Sequence, residues 1–293
     1  MTLLSAVLIF FPGLNYGIDF RGGVEARLHF KQPIDVAALR ETLAPKVDSL
    51  SIVSFNEKGR AEYLVVGQSP SADKLSQEIR SALTTKYGPE KEAWELGQID
   101  IVGPKVGKEL GAAAFWSLVY TCILITIYMY WRFDSRYAPG AMASIFHDLV
   151  MTAGFVAISG IEFSTTTVAA LLTLAGYSIN DTVVVYDRIR EIEGKFIGRT
   201  KKALVNEALN STLSRTIMTS TTTIVSCLVL YFLAGQELRD FALTLLFGIF
   251  VGTYSSAFIA APFYIWSDRF FNKSPQTALA GAGAQRSPSK NAK

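Results

Sequence analysis

A few polar side chains stand in stretches of sequence otherwise suited to hydrocarbon. Asn180 and Asp181 lie within AGYSINDTVVVYDRIRE (175–191), and from Phe163 to Tyr186 Asp181 is the only formal charge. His147 and Asp148 sit in the middle of another apolar run, and Arg215 opens a third, followed by the hydroxyl-rich TIMTSTTT. A carboxylate at the centre of a membrane helix costs about 3 kcal/mol on insertion scales, and an intramembrane ionisable residue is read first as functional. The chemistry open to it is proton exchange. An opposite charge stabilises an ionised carboxylate and burial stabilises a protonated one, so a small helix movement can tip the balance. Asp181 lies about 9 Å inside the helix end marked by Asp187. Arg215 lies near the corresponding end of the next, antiparallel run, and the two can pair if their helices are neighbours. Asn180, Asp181 and Arg215 are therefore the candidate proton-coupling group, with His147 and Asp148 as secondary polar residues. The plainer roles are a capped helix break for the carboxylates and a snorkelling side chain for Arg215. The hydroxyl run and Gly176, Gly248 and Gly252 read as close helix packing.

Membrane helices must position these groups. Spanning about 30 Å of hydrocarbon takes about 20 helical residues, and five runs suffice: 111–131, 138–160, 163–186, 214–234 and 241–266. Met1 to Phe11 gives only about 16 Å of helix. It has no basic leader or cleavage site and reads as the remnant of a first membrane helix (1–14), cut short by a late start or an incomplete record. Lys and Arg concentrate in 131–137, in 187–213 and after Trp266, alternating with basic-poor connections. Basic connections face the cytoplasm, which sets residues 15–110 on the outer side.

That segment reads as a soluble domain. Val24 to Lys31 alternates strictly, as a half-buried strand does. Asp35 can cap a helix with Val36, Leu39 and Leu43 on one face. Runs 50–56 and 61–67 form a hairpin around Glu57-Lys58-Gly59. Ser69-Pro70 opens a helix with Leu75, Ile79, Leu83 and Tyr87 on one face, Pro taking the first helical position, and 96–103 is a last strand. The order βαββαβ is that of a ferredoxin-like split βαβ. Gly22 and Gly23 at one end of the domain, and Gly103, Pro104 and Gly107 at the other, read as hinges to the membrane part. The fold class expected is thus a polytopic α-helical membrane protein, five full helices (111–266) plus a truncated first one, with an inserted ferredoxin-like domain. The tail 267–293 reads as disordered and cytoplasmic.

Several function classes are excluded. Acidic and basic residues nearly balance in 15–110, so no basic patch marks a nucleic-acid partner. No nucleotide loop, metal cluster or nucleophile constellation occurs, so neither an enzyme, a bound cofactor nor a metal is expected. Cys122 and Cys227, both in apolar runs, read as small core residues.

GIDFRGG (17–23), VGPKVG (102–107), the His147-Asp148 pair, GYSINDTVVVYDRIRE (176–191) and SRTIMTSTTT (214–223) occur in order over nearly the whole chain. Together they resemble the SecD/SecF protein-export family, of the resistance-nodulation-division superfamily. The resemblance implies six transmembrane helices with a periplasmic domain between the first two, in the bacterial cytoplasmic (inner) membrane. It implies a complex with SecD, association with the SecYEG channel and in many bacteria with YajC and YidC, and contact with membrane lipid and a translocating polypeptide. It implies use of the proton gradient late in polypeptide export, with protons as the coupling ion and Asp181 and Arg215 implicated in their movement. The alternatives are a half-transporter for a small molecule or lipid, and a passive scaffold of the translocon.

Overall fold

The computed structural model describes residues 2–57, 60–68, 71–195 and 199–271. In chain order the elements are α1 (Thr2–Leu8), β1 (Asn15–Tyr16), α2 (Ile18–Arg21), β2 (Gly23–Phe30), α3 (Val36–Leu43), β3 (Asp48–Glu57), β4 (Arg60–Gln68), α4 (Ala72–Tyr87), β5 (Trp94–Val102), α5 (Pro104–Arg132), α6 (Ala138–Ser159), β6 (Glu162–Phe163), α7 (Thr165–Lys195), α8 (Lys201–Leu233), α9 (Gln236–Ser255) and α10 (Ala261–Phe271). The expected turn at Lys58-Gly59, the opening at Ser69-Pro70 and the tail from 272 lie outside the described residues. The chain separates into two compact units. One comprises Phe10–Leu118 with Val156–Ala169; the other comprises the residues before Phe10, Val119–Phe155 and the described chain from Ala170.

In the first unit the period-two pattern of β2 is realised as a central strand. It pairs antiparallel with β4, from Val24↔Gly67 to Phe30↔Ala61. It pairs antiparallel with β5, from Gly23↔Val102 to Phe30↔Trp94, with a register shift between Ala26 and Leu28. The sheet order is β3-β4-β2-β5. Val24, Ala26, Leu28 and Phe30 point to one face and are buried with Leu39 and Leu43 of α3, Leu75, Ile79 and Leu83 of α4, and Trp94. A one-residue slip would turn all four outward, so this core fixes the register. Asp35 caps α3 by accepting from the Ala37 amide. Helix α4 is capped by Ser71, which accepts from the Lys74 amide at 3.2 Å. The hydroxyl satisfies one of the open amides of the first turn, and the described helix runs from Ala72.

Three elements here had no sequence signal. The GIDFRGG stretch forms the short helix α2, and the two-residue strands β1 and β6 pair in parallel, Asn15↔Glu162 and Tyr16↔Phe163. The partners lie far apart in sequence, which period and propensity cannot reveal.

Among the described residues five helices are long and apolar enough to cross a membrane, Leu238–Phe271 counting as one span. The chain is a polytopic helical membrane protein. Helices α7 and α8 run well beyond their apolar runs, so most of the expected 187–213 connection is helical. Ile189 and Ile192 there are buried against Leu204, Val205 and Ala208, and Glu191 pairs with Arg188 and Lys195. An apolar stripe with flanking ion pairs sustains a helix outside lipid. Helix α1 packs on α6, where Ser5 donates to the Met151 sulfur at 3.2 Å and Gly154 leaves room for it. Both cysteines are free thiols, Cys227 buried and Cys122 half-buried.

Between α9 and α10, Ser256–Ala260 is π-helical. Such a bulge disturbs the backbone ladder, and the Tyr186 hydroxyl donates to the Ala260 carbonyl at 3.0 Å. Gly140 of α6 faces the bulge. A Cβ there would meet the Tyr186 hydroxyl, the Ala260 oxygen at 2.7 Å and the Tyr264 nitrogen at 3.2 Å. Backbone cannot yield as a side-chain tip does. Gly140→Ala is expected to cost about 1–3 kcal/mol despite the gain in helix propensity, whereas Gly103→Ala meets nothing within 4 Å and should be neutral. Thermal unfolding of both variants in detergent checks the contrast.

Candidate functional site

Helix α7 carries the central group. Asp181 is 2 % exposed, and its Oδ2 has no hydrogen-bond partner. Helix α8 is a neighbour, as pairing requires. Arg188 donates to the Ser211 hydroxyl at 3.0 Å, Val185 and Ile189 share a cluster with Leu204 and Ala208, and Leu174 shares another with Cys227. The expected ion pair is nevertheless not formed. The Arg215 side chain is exposed. Among the described residues no nitrogen of Arg215 lies within the 4.0 Å of an ion pair with Asp181. Asn180, the preceding residue, is exposed on another side of α7.

His147 and Asp148, secondary in the sequence, form the best-satisfied polar group of the interior. Asp148 is 1 % exposed. Its Oδ1 lies 2.9 Å from His147 Nδ1. Its Oδ2 accepts from the Ser178 hydroxyl at 2.5 Å and from the Ser255 hydroxyl at 2.8 Å. Ser144 lies 2.9 Å from Ser255 and extends the cluster. Helices α6, α7 and α9 are thereby joined at one carboxylate. Ser144, Ser178 and Ser255 were missed in the sequence. The available signal was spacing: Ser178 precedes Asp181 by one turn and shares its face.

The two carboxylates thus have opposite surroundings on one face of α7. Asp148 is saturated with donors; Asp181 has an oxygen with none. The hydroxyl of Tyr177, one turn before Asp181, is also buried without a partner, as are those of Thr152 on α6 and Thr244 on α9. Unpaired buried polar atoms are rare in folded proteins and call for an explanation.

The packing residues divide. A Cβ at Gly252 would meet Ser178 at 3.2 Å and the Asp148 Oδ2 at 3.6 Å, and one at Gly248 would meet Leu174 at 2.5 Å. Both let α9 approach α7. Gly176 is exposed with open space beside it, so it packs nothing within this chain. Of the hydroxyl run, Ser220 bridges to Thr253 of α9 at 2.7 Å. Thr219, Thr222 and Thr223 instead bond the backbone of their own helix.

The residues expected as hinges are mostly closely packed. Gly22 has φ +72°, and a Cβ on it would meet Pro104 Cα at 2.8 Å. A Cβ on Gly107 would meet the Gly22 nitrogen and the Phe20 oxygen, both at 3.1 Å. Gly23, with φ +143°, lies under the Gly67 oxygen. These glycines permit backbone to touch backbone. Only Gly103 has open space around it.

The chain was compared with known proteins. Residues 82–269 match the family described as protein export membrane protein SecD/SecF, C-terminal, and residues 7–34 match the SecD/SecF GG motif. The protein translocase subunit SecF of Magnetococcus marinus is 40 % identical over 271 residues, covering 90 % of this chain and 86 % of that one. The protein translocase subunit SecDF of Thermus thermophilus is 38 % identical over 279 residues, 92 % of this chain but 37 % of the longer protein. The crystal structure of the Thermus SecDF, described as a translocon-associated membrane protein, superposes with a TM-score of 0.82 at 36 % identity, over 93 % of this chain and 36 % of that one. SecDF in a super-membrane-facing form matches with a TM-score of 0.63 at 33 % identity, over 96 % of this chain and 38 % of that one. With both family matches falling on the stretches that build the packed junction and the buried polar face, the chain belongs to the SecD/SecF protein-export family.

Proposed function

We propose that this chain is an accessory subunit of the Sec protein translocase that works with SecD to couple the proton gradient to late steps of polypeptide export. Its place is the bacterial cytoplasmic membrane. The basic connections and the tail face the cytoplasm, and residues 15–110 lie on the outer side as an inserted ferredoxin-like domain. The βαββαβ order, with β2 and β4 central in the sheet, supports that fold assignment, and the Lys/Arg asymmetry supports the orientation. SecD, the SecYEG channel, YajC, YidC and the translocating polypeptide are the partners this reading entails. The subunit works by movement and carries out no bond chemistry of its own.

One observation carries the proton role: the unfilled Oδ2 of Asp181 in the chain's interior, on the same helix face that delivers Ser178 to the saturated Asp148. A buried carboxylate oxygen without a donor is costly, and a proton or an approaching guanidinium relieves that cost. Arg215, on a neighbouring helix and without an ion-pair partner among the described residues, is a guanidinium that can do so. Protonation of Asp181 and its pairing with Arg215 are thus alternatives, and exchange between them moves α7 against α8. A charge crossing the potential releases about 2.3 kcal/mol per 100 mV, enough for a domain motion but not for one large stroke. The two SecDF forms that match this chain with TM-scores of 0.82 and 0.63 support a family fold that takes more than one arrangement.

Asp181→Asn is expected to abolish stimulation of export by the proton gradient while ATP-driven export continues. Inverted vesicles assayed with and without an uncoupler measure this. Stimulation that survives the substitution would leave only a scaffold role. Stability should show the reverse order. Asp148→Ala strands three donors and should cost about 3 kcal/mol or more, whereas Asp181→Asn breaks no bond and should leave the unfolding midpoint in detergent unchanged.

A further inference from the structure

Asp19 of the GIDFRGG stretch does something its glycines do not explain. Its Oδ2 accepts from the Thr165 amide at 2.8 Å and from the Thr165 hydroxyl at 2.6 Å. Thr165 is the first residue of α7. The opening amides of a helix have no partner within it, and a carboxylate there meets the positive end of the helix dipole. The contact is reinforced on both sides. Asn15 and Tyr16 pair with Glu162 and Phe163, and the Gly17 amide donates to the Phe163 carbonyl at 3.0 Å. The Tyr16, Phe20 and Phe163 rings meet with centroids 5.6–6.3 Å apart.

The same short segment is fixed to the sheet. Gly23 is the first residue of β2, paired with Val102 at the end of β5. Pro104, opening α5, lies against Gly22, and Gly107 lies against Phe20 and Gly22. The backbone on which Asp19 stands is thereby packed against both the strand that enters the domain and the helix that leaves it. Asp181 lies about four turns further along the helix whose start Asp19 holds.

We propose that Asp19 is the positioning residue that ties helix α7 to the central strand of the β domain, so that a displacement of α7 is delivered to that domain rather than absorbed at the junction. This rests on the proton-coupled reading above and adds to it the point where movement leaves the membrane helices. Asp19 touches no proton path. Its loss should separate proton passage from work.

The test uses the full chain in inverted membrane vesicles from cells in which it is the only copy of its kind. Two readouts are taken: proton passage by an enclosed pH dye, and export with and without the gradient. Asp19→Ala is expected to pass protons at the unaltered rate while gradient stimulation of export is largely lost. Asp19→Asn keeps an acceptor oxygen for both Thr165 donors and should restore most of the stimulation. Should Asp19→Ala fail to accumulate, Thr165→Val removes the hydroxyl donor alone and should show the same separation in weaker form. Unaltered stimulation, or equal loss of stimulation and proton passage, overturns the proposal. Asp181→Asn, run alongside, separates the two readings. If it abolishes stimulation and Asp19→Ala does not, the tie is wrong and the proton role stands; if it is silent, the proton role fails and the tie falls with it.

Discussion

A carboxylate withdrawn from water must find donors, take a proton or sit at high energy, and the interior of this chain is arranged around that constraint. Asp148 meets it with donors: His147 from its own helix, Ser178 from α7 and Ser255 from α9. Because the donors come from three helices, satisfying the carboxylate also fixes how those helices lie together. Gly252 leaves the space in which they meet. Asp181, one turn beyond Ser178, inherits a defined position from this arrangement, but its Oδ2 has no hydrogen-bond partner among the described residues. A rigid polar anchor beside an unsatisfied carboxylate lets the second group change state without loosening the first.

The far end of α7 is held by charge. Glu193 pairs with Arg136 at 3.3 Å and with Lys201 at 2.6 Å. Asp268 of α10 pairs with the same two cations at 3.1 and 3.2 Å, and the Tyr264 hydroxyl donates to Glu193 at 2.5 Å. Isolated surface pairs contribute little, but a network sharing partners across several elements is a stronger case. Tyr137 stacks on Tyr264 with centroids 4.5 Å apart and interplanar angle 14°, and Tyr186 reaches the bulge carbonyl between α9 and α10. Here α7 is tied to α8, to α10 and to the connection before α6.

The sequence disclosed what local rules govern. Alternation in β2, apolar faces on α3 and α4, and apolar runs long enough for five spans all depend on neighbours a few residues away, and the structure has them. Asp181 stood out because a lone charge in an apolar run is costly wherever its partners are. What stayed hidden was non-local. Glycine in GIDFRGG signals a backbone constraint, but not whether it serves slack or close approach; the answer lay in Pro104 and Gly107, on a different strand-to-helix turn. Ser178 and Ser255 are unremarkable residues in helical runs until Asp148 is placed between them. Reach along two helices allows an Asp181–Arg215 pairing but does not say which way an exposed guanidinium turns.

These contacts give α7 unequal ends. Its last turns are locked by shared ion pairs and stacked rings, its middle is pinned at Ser178 by a saturated carboxylate, and its first residue is held by Asp19 alone among the charged groups described there. That start is where β1, β6 and the glycine-packed turn of α2 gather. Close backbone approach at Gly22 and Gly107 then has a mechanical meaning. On the proposal above, packed backbone there passes a small movement on to β2, the strand bonded on both sides within its sheet, where slack would dissipate it.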